Sequence, residues 1–193
     1  MRELAYASRY LIPALWIVWI VGWTAAAYGV KRIRWREPAR EAILNRGPVL
    51  LGVAILLTPR WWPAALTYRF VPGGPVLPVL GTLLVLGGLL FTVWARWHLG
   101  RNWSSTVAVK EAHTLVRSGP YRWVRHPIYS GLLAAFVGTA LAIGAGYGFI
   151  GFALIFAGLL VKLLAEEARM RETFPAEYAE YCRHTARLIP GVY

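Results

Sequence analysis

Apolar residues in this chain gather into runs separated by short basic or Gly/Pro-rich segments, and the length of each run predicts an element. A helix rises about 1.5 Å per residue and a hydrocarbon core is about 30 Å thick, so roughly 20 apolar residues make one crossing. Residues 10–30 and 76–95 meet that measure directly. A shorter run over 49–57 leads into Thr58-Pro59-Arg60-Trp61-Trp62-Pro63, an interfacial sequence with aromatic anchors, and predicts a second span over 44–66. From Ile128 to Val161, 34 residues pass without a charge. That is too long for one crossing, and Gly144-Ala145-Gly146 near its middle is a turn signal, so the run predicts a hairpin of spans 127–143 and 147–165. Residues 166–187 are amphipathic, with a break at Phe174-Pro175, and are expected to lie against the membrane face.

Composition strengthens this picture. Hydrophobic residues fill 58% of 193 positions and charged residues only 16%, outside the balance of soluble domains. The expected fold is all-α and integral to a membrane: about five transmembrane helices, a C-terminal hairpin and a cytosolic tail, all in one domain over 1–193. Five spans put the chain ends on opposite sides, and the Lys and Arg bias decides which is which. Segments 31–46, 96–125 and 162–193 hold 17 basic residues against 4 elsewhere. The N-terminus is therefore expected outside, with the C-terminus and the segment before the hairpin in the cytoplasm, in an inner membrane. The same loops account for most of the net charge of +12, so anionic lipid headgroups are the expected partner and nucleic acid is not. Residues 1–27 imitate a signal peptide but are expected to remain as a span. Cys182 is the one cysteine, so no intramolecular disulfide can form. No spacing of Cys and His suggests a metal site.

Chemistry concentrates between His113 and Gly131, immediately before the uncharged run. Pro127 suits a first helical position, which places His126 at the cap and aims the free N–H groups of Ile128, Tyr129 and Ser130 at the cytosol. With Arg125 beside them, these groups could hold a carboxylate or phosphate; they could equally face lipid headgroups. Tyr121, Trp123 and Tyr129 offer flat faces for a base or a cation. Gly119-Pro120 is a turn that brings His113 and Leu115 back toward them. Lys162 and Glu166 are four apart on one helix face, where they could pair across a site or merely in solvent. Glu166 and Glu167 lie about 100° apart around the helix, so one can face Lys162 while the other meets a different wall. Gly144, Gly146 and Gly148 look like a nucleotide loop but follow no strand, and with Gly87, Gly88 and Gly158 they are expected to admit close helix approach.

The spacing L-G-R-N-W-S over 99–104, His113-x-Leu115, G-P-Y-R-x-V-R-H-P-x-Y-x-G over 119–131, Glu166-Glu167, Phe174, Glu177-Tyr178 and Arg187-Leu188-Ile189-Pro190 resembles the isoprenylcysteine carboxyl methyltransferase family. The resemblance covers the C-terminal half, 96–193; residues 1–95 match only in being apolar. It implies a membrane enzyme that binds S-adenosylmethionine in a cytosol-facing pocket and methylates a lipophilic or lipidated acceptor reached from the bilayer. His113, Leu115, Gly119, Tyr121, His126, Pro127, Tyr129 and Glu167 become the expected cofactor positions. Lys162, Glu166 and Arg125 become the expected catalytic ones. Where the family carries arginine, this chain has Lys162, a point charge rather than a two-pronged donor. Phospholipid or thiol methylation, NADPH-dependent reduction and a non-catalytic membrane role remain open alternatives.

Overall fold

A computed structural model describes residues 2–27, 33–104, 108–110 and 114–192. Its helices are α1 (Arg2–Ala25), α2 (Ala39–Leu57), the single turn α3 (Ala64–Thr67), α4 (Val76–Leu99), α5 (Pro127–Ile143), α6 (Gly146–Thr173) and α7 (Pro175–His184). The protein is an all-α integral membrane protein. Among the described residues, three segments are long and apolar enough to cross unaided: Ala5–Ala25, Val76–Asn102 and Gly146–Thr173. Helix α5 has 17 residues, at the short end for a crossing, and forms the expected hairpin with α6.

The first two spans differ from expectation. Helix α1 starts at Arg2 and ends at Ala25, ahead of the 10–30 window. Helix α2 starts at Ala39, drawing Arg40, Glu41 and Arg46 into its first turns, and stops at Leu57. There Pro59 cannot donate the next helical hydrogen bond, and the chain continues as a 3₁₀ turn and α3 instead. A two-stranded antiparallel ladder, β1 (Ile33–Arg36) with β2 (Ala108–Lys110), also joins two of the basic loops, a small addition to the expected all-α fold.

Helices α4 and α5 approach through paired glycines seven residues apart on each. A Cβ on Gly81 or Gly138 would fall on the other's carbonyl oxygen, and Gly88 and Gly131 are related in the same way. Gly158 packs on Val49 of α2, as Gly52 does on Gly151. Gly87, by contrast, meets nothing, because it lies off this seam. Helix α1 is fastened by indole donors: Trp16 Nε1 to Thr139 Oγ1 at 3.1 Å and Trp19 Nε1 to Thr92 Oγ1 at 2.7 Å. In hydrocarbon a satisfied indole and a shared hydroxyl replace the polar partner that water would supply.

The hairpin turn is closed by Gly144, whose φ of +68° is the left-handed conformation that ends helices. Arg69 completes it by donating from Nη1 to the Ala142 and Ile143 carbonyls, both at 3.1 Å. From that turn α6 runs 28 residues, about 42 Å, well beyond the hydrocarbon thickness. Its last two turns therefore project on the far side, and Glu166 and Glu167 ride on them.

Candidate functional site

Where α6 projects, the segment entering α5 folds against it and encloses a cavity of about 370 Å³, within the size range of small-ligand sites. Tyr121, Arg125, His126 and Tyr129 line it from the α5 side; Lys162, Glu166, Arg169 and Met170 line it from α6. Leu115 is also in the wall, and His113 lies outside the described residues. The apolar N-terminal half contributes more than its sequence suggested, since Trp19 and Trp23 of α1 and Val49 of α2 form part of the same wall.

The two neighbouring glutamates have different employment. Glu167 is fully buried: Arg125 Nε donates to its Oε1 at 2.9 Å, while Arg171 at 2.8 Å and Arg187 Nε at 3.2 Å donate to its Oε2. It is absent from the cavity wall and holds three chain segments together behind it. Glu166, with a quarter of its side chain exposed, faces the cavity and accepts from the Tyr129 hydroxyl at 2.6 Å. Lys162 Nζ stands 5.5 Å from the Tyr129 ring centre. His126 lies between the carboxylates, Nδ1 at 3.6 Å from Glu166 Oε2 and Nε2 at 3.4 Å from Glu167 Oε1. Burial by itself would lower the pKa of this imidazole, but the two carboxylates outweigh it and raise it above the usual value. The His126 and Tyr129 rings are parallel, with centroids 5.6 Å apart.

Besides Glu167, two expected positions sit behind the wall, and Arg125, which lines it, is held from behind. Pro127 is buried at the first turn of α5, as its missing N–H favours. Gly119 turns the chain with φ +59°, where a Cβ would meet the His98 ring. Arg125, expected to hold a ligand carboxylate, has most of its guanidinium committed to Glu167 and to the Thr185 carbonyl.

The tail explains that commitment. Arg125 N donates to Ala186 O at 2.8 Å and His126 N to Arg187 O at 3.1 Å, so residues 185–188 run beside the α5 entry like a short strand. Ser130 Oγ reaches Leu188 O at 2.6 Å. The Arg187-Leu188-Ile189-Pro190 motif is thus a clamp on the start of α5. Tyr181 adds a hydroxyl bond to Tyr121 O at 2.6 Å, and burial keeps the phenols of Tyr121, Tyr178 and Tyr181 well above their ordinary pKa.

Comparison with known proteins gives the family. The family model described as phospholipid methyltransferase matches residues 76–177, from the start of α4 into α7. The chain belongs to that family. It is similar to protein-S-isoprenylcysteine O-methyltransferase of Saccharomyces cerevisiae, 34% identical over 117 residues that cover 59% of this chain and 49% of the relative. Similarity to the B form of that enzyme in Arabidopsis thaliana is 30% over 114 residues, or 58% and 57% of the two chains. The cobalt-zinc-cadmium resistance protein CzcN of Cupriavidus metallidurans is 35% identical over 121 residues, 60% of this chain and 51% of CzcN. The chain spans about half the length of the curated relatives it matches. The family resemblance carried by the 99–131 motifs is borne out, and the matched region contains every described residue of the cavity wall except those of α1 and α2 and those after 177.

Proposed function

We propose that this chain is a membrane methyltransferase that binds S-adenosylmethionine in the cavity between the α5 entry and the end of α6, and transfers its methyl group to a lipophilic acceptor. The observation that carries the reading is one cavity wall combining an acidic group, Glu166, with Tyr121, Tyr129 and an indole-rich face from α1. Such a wall suits a cationic ligand bearing an aromatic base. The named activity of the isoprenylcysteine relatives supports the same reading. When bound, the cofactor supplies an electrophilic methyl group on a sulfonium.

The chain's part is to bind, orient and exclude water. Leu115, Tyr121, His126 and Tyr129 would hold the cofactor, while Glu167, through Arg125 and Arg187, fixes the backbone that presents them. Holding two reactants in line at about 3–3.5 Å can by itself supply several kcal/mol of a transfer barrier. Lys162 and Glu166 are the acceptor-side groups. A carboxylate acceptor would arrive ionised and need only the Lys162 charge, whereas an amine or thiol would give its proton to Glu166. The basic bias of 17 to 4 supports a cytoplasmic site in an inner membrane, with the N-terminus outside.

Titration of the purified full chain in detergent tests the reading. Saturable binding of S-adenosylhomocysteine, with none of NADPH, is the expected outcome; NADPH binding alone would replace transfer by reduction, and no adenosyl binding would leave a non-catalytic protein.

A further inference from the structure

Six buried side-chain nitrogen or oxygen atoms have no hydrogen-bond partner among the described residues. Four of them, Arg46 Nη2, Trp62 Nε1, Arg69 Nη2 and Arg96 Nε, are donors on residues outside the cavity wall. The other two belong to cavity-lining residues: His126 Nε2, beside Glu167, and Asn102 Oδ1. Asn102 therefore presents the one unsatisfied acceptor of the set, and it does so in the wall of a ligand-sized space. Buried carbonyl oxygens without partners are rare because each forfeits the hydrogen bonds that water gave it.

The local fold holds this atom in place. Gly100, with φ +53°, turns the chain sharply after α4, and residues 100–102 complete a 3₁₀ turn that carries Asn102 to the cavity. Its Nδ2 donates to Thr114 Oγ1 at 3.0 Å, which fixes the plane of the amide and uses one of its two N–H donors. The chain stretches around it line the wall with Leu99, Trp103, Ser104, Thr114, Leu115 and Val116. They carry no charge and are mostly apolar or flat, unlike the His126, Lys162 and Glu166 groups contributed by the α5 entry and α6. A planar amide set among such neighbours suits the edge of a heteroaromatic ring, and an amide oxygen is complementary to the exocyclic amine of adenine.

Resting on the adenosyl-donor reading above, we propose that Asn102 is the residue that reads the purine, its Oδ1 accepting a hydrogen bond from the exocyclic amine of the bound adenosyl group. A base with a carbonyl in place of that amine would set two acceptors against each other and be rejected.

Dissociation constants of S-adenosylhomocysteine and S-inosylhomocysteine, measured by calorimetry on the detergent-purified full chain, test this. The wild type should favour the adenosyl compound by tenfold or more. Asn102→Ala should reduce that preference to below threefold, with adenosyl binding weakened and inosyl binding unchanged or strengthened. Asn102→Asp, which keeps an acceptor oxygen at the same place, should retain the preference. A merely structural role predicts instead that Asn102→Ala weakens both compounds by one common factor, and that result overturns the proposal. So does a wild type indifferent to the base, or an Asn102→Asp protein that loses the preference; neither measurement depends on the alanine variant folding. Failure of the wild type to bind either compound would overturn the methyl-transfer reading along with this one, whereas adenosyl binding with an unaltered preference in Asn102→Ala overturns this one alone.

Discussion

The two ends of α5 solve opposite problems with the same side chain. At the hairpin end Arg69 donates to the Ala142 and Ile143 carbonyls beside Gly144, and that end is closed. At the entry end Arg125 is bound to Glu167 and the tail, which leaves His126, Tyr129 and Glu166 along a cavity. One end spends its polar groups on the backbone; the other spends some of them to hold the rest ready. The comparison teaches that basic residues of this site serve its architecture first, and that charge near a ligand need not mean contact with it.

The largest expected effect lies at the entry end. Glu167→Ala leaves the almost fully buried Arg125 without its counter-charge and unties Arg171 and Arg187 as well. Removing one partner of a buried pair costs about 3–5 kcal/mol, so unfolding in detergent should shift by that amount or the variant should fail to accumulate. Thermal and denaturant unfolding read it. A change below about 1 kcal/mol would mean that solvent reaches this cluster freely.

Next comes the closed end. Arg69→Met keeps the aliphatic stem but strands two carbonyls at the end of α5, and should cost about 1–3 kcal/mol in the same assay. The affinity for S-adenosylhomocysteine should stay within twofold of wild type. Loss of affinity equal to that of an entry-end variant would erase the distinction between the two ends.

Much of the entry end was legible from sequence, and the reasons are local. The pairing of Pro127 with a preceding His126, and the four-residue spacing of Lys162 and Glu166, are helix geometry written directly in residue order. The hairpin was legible from an uncharged run too long for one crossing. The hub at Glu167 was only half legible: Arg171, one turn on, is visible by spacing, but Arg125 and Arg187 reach it only after the tail folds back. Trp19 and Trp23 gave no signal either, because tryptophan is ordinary near membrane interfaces and the indole bonds to Thr92 and Thr139 that fasten α1 form only in the folded chain. The second span was misjudged at both ends because hydropathy marks where a helix can sit in lipid, not where its backbone hydrogen bonds begin or stop.

A smaller effect separates binding from architecture. His126→Ala should raise the S-adenosylhomocysteine dissociation constant about tenfold, equivalent to about 1.4 kcal/mol, with the fold retained because Glu167 keeps its three guanidinium partners. Unchanged affinity would assign His126 to architecture, like Arg125. Lys162→Arg, carrying a two-pronged donor, should improve turnover of a carboxylate acceptor a few-fold and do nothing for a neutral one.

The smallest expected effect is the pH dependence of the entry end. With its pKa raised in the folded chain by Glu166 and Glu167, His126 binds a proton more tightly folded than unfolded. Its contribution to stability is therefore complete below the unfolded value of about 6.5, and is lost as pH rises through the higher folded value. Other groups titrate as well, so the quantity to measure is the difference between wild type and His126→Gln. The unfolding midpoint of the wild type should exceed that of the variant most at pH 5.5 to 6, and the gap should shrink as the pH is raised. At the closed end the gap between wild type and Arg69→Met serves as the control and should stay flat over the same range. A gap that widens with pH for His126→Gln would mean that burial, rather than the two carboxylates, governs this imidazole.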